Sequence, residues 1–179
     1  NFMLMECLTG FCRWGGSGGT SLATAAMRAL PIGVPKLMVS TMASGDVERY
    51  VGTSDIIMMP SIVDVAGLNK ISKMIFKNAV LAMAGMVSCG DKLKNDTTEQ
   101  KPLIAATMFG VTTPCIEQAK VYLEEKGYEV MVFHATGTGG KTMEALIDAG
   151  FFAGVLDLTT TEYCDEVVGG ILAAGPDRC

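Results

Sequence analysis

From residue 103 onward the chain repeats one pattern: a short apolar run, a polar or glycine-rich loop, then a segment with helical signals. The runs are LIAATM (103–108), EVMVFH (129–134) and GVLDL (154–158). The helical segments begin near Pro114, Lys141 and Thr160, and Gly127 and Gly150 close the first two. Proline suits the first helical turn, and glycine suits the position after the last. Strands this short and apolar are buried on both faces, and a helix between each pair allows parallel crossovers. Right-handed crossovers bring every strand-to-helix loop to one edge of the sheet. The pattern therefore predicts an α/β fold of βαβ units, with ligands at the edge those loops form.

The upstream half carries the same parts less regularly. PKLMVST (35–41) and DIIMM (55–59) read as buried strands. SLATAAMRAL (21–30), with Thr20 as N-cap and Pro31 as stop, reads as a helix. So does 67–87, where Leu68, Ile71, Ile75, Ala79, Ala82 and Met86 form one apolar stripe. Lys70, Lys73 and Lys77 share a second face of that helix and read as solvated. The segment GDKLKNDTTEQK (90–101) is polar apart from Leu93 and reads as a linker.

Composition narrows the function classes. Apolar residues make up 49% of the 179, enough for a sizeable core. The net charge of −5 argues against a polycationic nucleic-acid binder, so any anion must be held by local donors. Six cysteines without a C-x-x-C pair, and one histidine, make a structural metal site improbable. They fit free thiols of a reducing, cytoplasmic compartment. The apolar stretch 79–87 is too short to span a membrane. Both ends of the chain look cut, so a fragment of a longer protein is expected. Its exposed sheet edges would pair with the missing half of the parent domain or with another copy, giving a homo-oligomer.

Several loops could carry chemistry. Gly15, Gly16, Ser17, Gly18 and Gly19 precede Thr20 and a helix. Such a loop lets backbone N–H groups converge on a phosphate at a helix N-terminus, or it is simply flexible. Thr136, Gly137, Thr138, Gly139, Gly140 and Lys141 occupy the same setting after EVMVFH. They end like a P-loop, but Ala135 stands where the first P-loop glycine belongs. Thr112 and Thr113 either cap a helix or bind a ligand at the sheet edge, and Thr159 and Glu162 have capping-box spacing. Residues 44–46 (SGD) form a further polar loop. His134 ends a strand beside the glycine loop and is the best acid or base candidate, ahead of Asp157, Glu162 and Cys115.

Taken in order, GGSGGTSLATAAMRALPIGVPKLMVSTMASGD, YVGTSDI, TMFGVTTPC, VFHATGTGGKTMEALID and GVLDLTTTE resemble a known family. It is the family of uncharacterised bacterial and plant proteins that includes the ATP-binding N-terminal domain of the tomato mosaic virus resistance protein. The resemblance implies two Rossmann-like subdomains. Residues 1–89 would be the C-terminal part of the first, 90–101 the linker, and 102–179 the N-terminal part of the second. It also implies ATP, with or without Mg2+, bound between subdomains with GGSGG and TGTGG near the phosphates. An enzyme acting on a small metabolite is then one reading. The other is a non-catalytic module that senses nucleotide or docks a protein, since the plant relative inhibits viral RNA replication. Two departures stand out: Lys141-Thr142 replaces the family's Arg-Ala, and residues 1–14 do not match the strand placed before GGSGG.

Overall fold

The computed structural model describes residues 9–93 and 101–176, apart from the side chains of 90–93. The chain divides into two compact units, one ending at Asp96 and one beginning at Thr97.

The first unit runs β1 (Phe11–Gly15), α1 (Ser17–Arg28), β2 (Lys36–Ser40), α2 (Glu48–Val51), β3 (Ile57–Pro60) and α3 (Lys70–Leu93). The strands are parallel in the order β1-β2-β3. Gly15 lies beside Ser40, and Ser40 beside Pro60, so the three carboxyl ends form one edge. Of the two apolar runs read as buried strands, β2 is buried at every residue, whereas β3 has a neighbour on one side alone, with Ile57 exposed and the rest half-buried. The side chains of β2 alternate between two cores. Met38 packs with Ala23 and Met27 of α1 and with Ile56. Leu37 and Val39 pack with Ala79 of α3, flanked by Ile75, Phe76, Met83 and Met86. Each such side chain taken from water contributes about 1.5–3 kcal/mol.

Three local expectations are revised here. Residues 11–15 form a strand, although Arg13 and Trp14 disguise it. β1 is an edge strand, both side chains are exposed, and Trp14 stacks on Phe76 at 5.5 Å between ring centroids. α1 begins at Ser17 rather than near Ser21, so Thr20 is buried inside the first turns and is not the N-cap. α3 continues to Leu93, into the segment read as a linker, whose residues 94–100 lie outside the described ones. By length and composition its stretch Lys70–Cys89 could cross a membrane. One side of α3 packs on β2, while most of that stretch is exposed.

The second unit runs β4 (Leu103–Met108), a 3-10 turn (Gly110–Thr112), α4 (Thr113–Glu125), β5 (Glu129–His134), α5 (Thr138–Asp148), β6 (Gly154–Leu156) and α6 (Thr161–Val168). This is the expected strand and helix alternation. All strands are parallel in the order β5-β4-β6. Ile116 of α4 packs against Ala106 and Val130, with Ile104, Leu123, Val132 and Leu156 around them. Phe133 meets Phe152 edge-on at 5.9 Å. β6 stops at Leu156 instead of Leu158, and Asp157 just beyond it accepts a hydrogen bond from Thr107.

Candidate functional site

Each unit presents its strand-to-helix loops at the carboxyl edge of its sheet, and the two edges differ in what they leave open. In the first unit Gly15 ends β1, Gly16 caps α1, and Ser17, Gly18 and Gly19 make the first helical turn. The turn is braced from below. The Thr20 hydroxyl donates to the Gly16 carbonyl at 2.7 Å. That uses its one hydrogen, so in the 2.6 Å contact with Ser40 the serine is the donor. Ser40 Oγ in turn accepts from the Met42 N–H at 2.9 Å. Thr20 and Ser40 are wholly buried.

Above this brace the turn is open. No side chain caps α1, so its first-turn amides have no partner within the helix. A Cβ built on Gly18 or Gly19 would touch nothing within 4 Å. Backbone donors, the positive end of the helix dipole and free space coincide here, as phosphate binding requires. The neighbouring carboxyl edge of β3 holds a residue that the sequence did not flag. Ile62 is β-branched, 69% exposed, and has φ of 65°. That left-handed conformation is rare for its type. Its backbone neighbour Ser61 is tied to Ser40, the Ser61 N–H donating to the Ser40 carbonyl at 3.0 Å.

The glycine turn of the second unit is closed. Thr138, Gly139 and Gly140 belong to α5, which starts three residues before the expected Lys141. The amides that a phosphate would use are engaged. Gly137 N–H and Gly140 N–H donate to the Glu162 carboxylate at 2.6 and 3.2 Å. Glu162 is 1% exposed. A Cβ on Gly139 would lie 1.8 Å from the His134 carbonyl oxygen, so this glycine serves close packing. A phosphate at Thr136–Lys141 would have to displace a buried carboxylate. The capping box expected of Thr159 and Glu162 is absent: Thr160 is the N-cap of α6 and makes no side-chain cap bond. Nothing in the spacing around Glu162 signals its reach to a helix more than twenty residues upstream.

Between β4 and β6 the second sheet reverses the direction of its crossovers, the place where open α/β sheets form a crevice. Four polar side chains meet there. Thr107 donates to Asp157 at 2.6 Å, and its hydroxyl oxygen accepts from the Thr159 N–H at 3.0 Å. Thr159 donates to the Thr107 carbonyl at 3.2 Å and meets the Thr112 hydroxyl at 2.7 Å. With the Thr159 hydrogen given to Thr107, Thr112 is the donor in that 2.7 Å contact, and its oxygen accepts from the Phe109 N–H at 3.2 Å. Thr112 and Asp157, separate candidates in the sequence, reach one network through Thr159 and the buried Thr107, which the sequence did not flag. Thr113 starts α4, Cys115 is exposed within its first turn, and His134 is exposed at the end of β5. Lys141 is exposed on α5. Asp46 accepts from the Glu48 N–H at 3.0 Å just before α2. No group of metal-ligating side chains occurs among the described residues.

The shifted titrating groups lie away from these edges. Burial pushes the Cys12 thiol up. Burial alone would raise Asp55. The Lys36 and Gly33 hydrogen bonds, with the Lys36 charge, outweigh it and hold the carboxyl below its ordinary value. Lys36, itself buried, also donates to the Pro31 and Val34 carbonyls at 2.8 and 3.0 Å.

Comparison with known proteins gives a consistent relationship. A UPF0261 protein of Clostridium tetani is 58% identical over 174 residues, covering 97% of this chain and 42% of its own length. A UPF0261 protein of Rhizobium meliloti is 54% identical over 171 residues, covering 96% of this chain and 42% of its own. The ToMV resistance protein Tm-1(GCR237) of Solanum lycopersicum is 51% identical over 173 residues, covering 96% of this chain and 23% of its own. The chain thus spans less than half the length of these relatives. Residues 2–92 match the N-terminal domain model and residues 101–179 the C-terminal domain model of one family. The chain belongs to the uncharacterised protein family UPF0261.

Proposed function

We propose that this chain binds a nucleotide, ATP, through its phosphates at the N-terminus of α1. The observation that carries the reading is the open glycine turn: uncapped first-turn amides with free space around Gly18 and Gly19 at the carboxyl edge of a parallel sheet. Ser17, Gly18 and Gly19 would hold the phosphates by backbone N–H donation, and Thr20 with Ser40 would keep the turn in shape. Backbone donors suit an acidic chain, which offers no general attraction to anions. When bound, ATP would supply an activated phosphoryl group, the chemistry an enzyme acting on a small metabolite would use.

The second glycine turn supports phosphate binding less well, because the Glu162 carboxylate already supplies the negative charge its amides favour. The tomato relatives do not favour a virus-directed role for this stretch. A ToMV resistance protein and a ToMV susceptible protein match it at the same 51% identity.

Calorimetric titration of the chain with ATP tests the proposal, using Gly18→Asp as the control. The new side chain enters open space and suits the first turn of a helix, so the fold is kept. Its carboxylate stands where a phosphate would sit. Saturable binding by the parent, weakened by about a hundredfold or more in Gly18→Asp, is expected; that corresponds to about 3 kcal/mol. Equal binding by both proteins removes α1 as the site. Phosphate release measured on the same samples separates consumption of ATP from sensing it.

A further inference from the structure

We infer that the groove between α1 and α2 is a second anion site, for a phosphate-bearing small molecule distinct from the nucleotide at the α1 turn. The groove encloses about 440 Å³ and runs from Ser17 and Gly18 along α1 to Arg28, with Arg49 and Tyr50 of α2 opposite. One buried residue, Tyr50, orients both arginines. Its ring is 3% exposed. Its carbonyl accepts a hydrogen bond from Arg28 Nη1. Its hydroxyl accepts from Arg49 Nη2 at 2.7 Å, and the Arg49 guanidinium lies 4.7 Å from the ring centroid.

These partners are a carbonyl, a phenol and an aromatic face. None carries a countercharge. Among the described residues neither guanidinium forms a salt bridge, although acids outnumber bases in this chain by nineteen to fourteen. Each guanidinium has five donors, and these contacts use one apiece. Two planar forks, held in place and still positive beside a groove, match a phosphoryl group. Both arginines are exposed to solvent, and their contacts with the buried Tyr50 fix where the guanidinium groups stand. Ser17 and Gly18 border both the groove and the α1 turn, but the turn offers backbone amides and the groove guanidinium groups, so the two sites differ in donor type and can be disabled separately.

The test follows the Nε–H resonances of the arginines in the full chain during titration with inorganic phosphate at constant ionic strength, with Arg13 of β1 as the internal reference. Arg28 and Arg49 are expected to shift together on one saturable curve while Arg13 does not respond. Arg49→Gln should weaken that curve at least about tenfold, the loss expected for one charge-assisted pair. Tyr50→Phe keeps the ring but frees Arg49, and should weaken it by a smaller factor. Saturating ATP should leave the curve in place. Parallel, non-saturating shifts of Arg13, Arg28 and Arg49 would overturn the inference, as would an unchanged curve in Arg49→Gln. Displacement of phosphate by ATP would assign the groove to the nucleotide itself. A chain that fails to bind ATP yet shows the saturable arginine response contradicts the nucleotide reading and leaves this one standing.

Discussion

Replacing Glu162 by alanine removes the acceptor at the N-terminus of α5, and the structure sets the size of the loss. Two backbone amides, Gly137 and Gly140, lose a carboxylate partner at 2.6 and 3.2 Å in a site that is 1% exposed. Hydrogen bonds to a charged partner contribute about 1.5–3 kcal/mol each, and a carboxylate at a helix N-terminus adds about 1 kcal/mol. These terms overlap, so about 3–5 kcal/mol is expected for Glu162→Ala. Glu162→Gln keeps one acceptor oxygen and should cost roughly 1–2 kcal/mol. The assay is amide hydrogen exchange read by mass spectrometry over 138–148, which isolates α5 within the whole chain. A loss of 3 kcal/mol lowers protection there by about two orders of magnitude. A change below about 0.5 kcal/mol in Glu162→Ala would show that the carboxylate does not hold the turn. The same variant also probes function. If α5 were the phosphate cradle, removing its competing charge would raise ATP affinity; binding at α1 predicts no gain.

Other outcomes follow from the same geometry. Asp55→Asn should destabilise the first unit by about 1–2 kcal/mol at neutral pH, less than breaking a fully buried pair, because Asp55 is 39% exposed while Lys36 is 0%. The Asp55 carboxyl is held below its ordinary value, so its contribution is present above the unfolded carboxylate pKa of about 3.9. That contribution fades as pH falls through the lower folded value. Urea unfolding of parent and variant, followed by Trp14 fluorescence, should therefore converge in acid. Gly139→Ala should cost roughly 3 kcal/mol or more, since its Cβ meets the His134 carbonyl at 1.8 Å. Gly19→Ala, in the open first turn of α1, should instead add about 0.5–1 kcal/mol of stability by the same measurement.

What the sequence made legible depended on how local the cause is. β2 and β4 were readable because a run of buried apolar residues between turn signals leaves little alternative. The parallel sheets followed from the spacing of strands and helices, since crossovers need that length. β1 was hidden because an edge strand has one neighbour and tolerates Arg13 and Trp14. The two glycine turns look alike as strings, GGSGG and TGTGG, yet one is open and the other filled. The difference lies in Glu162, whose partners Gly137 and Gly140 lie more than twenty residues upstream and not among its neighbours in sequence. Thr112 and Asp157 were flagged singly, and only the sheet order brings them to Thr107. The strain at Ile62 leaves no sequence signal, because isoleucine is an unfavourable choice for positive φ.

The central claim is that phosphate binds the open turn of α1 and not the filled turn of α5. Glycine-selective 15N labelling reports both turns in one spectrum of the chain during an ATP titration. Gly16, Gly18 and Gly19 should shift together on one saturable curve, while Gly137, Gly139 and Gly140 keep their positions. Saturable shifts confined to Gly137, Gly139 and Gly140, or no saturable shift at either turn, would contradict the account.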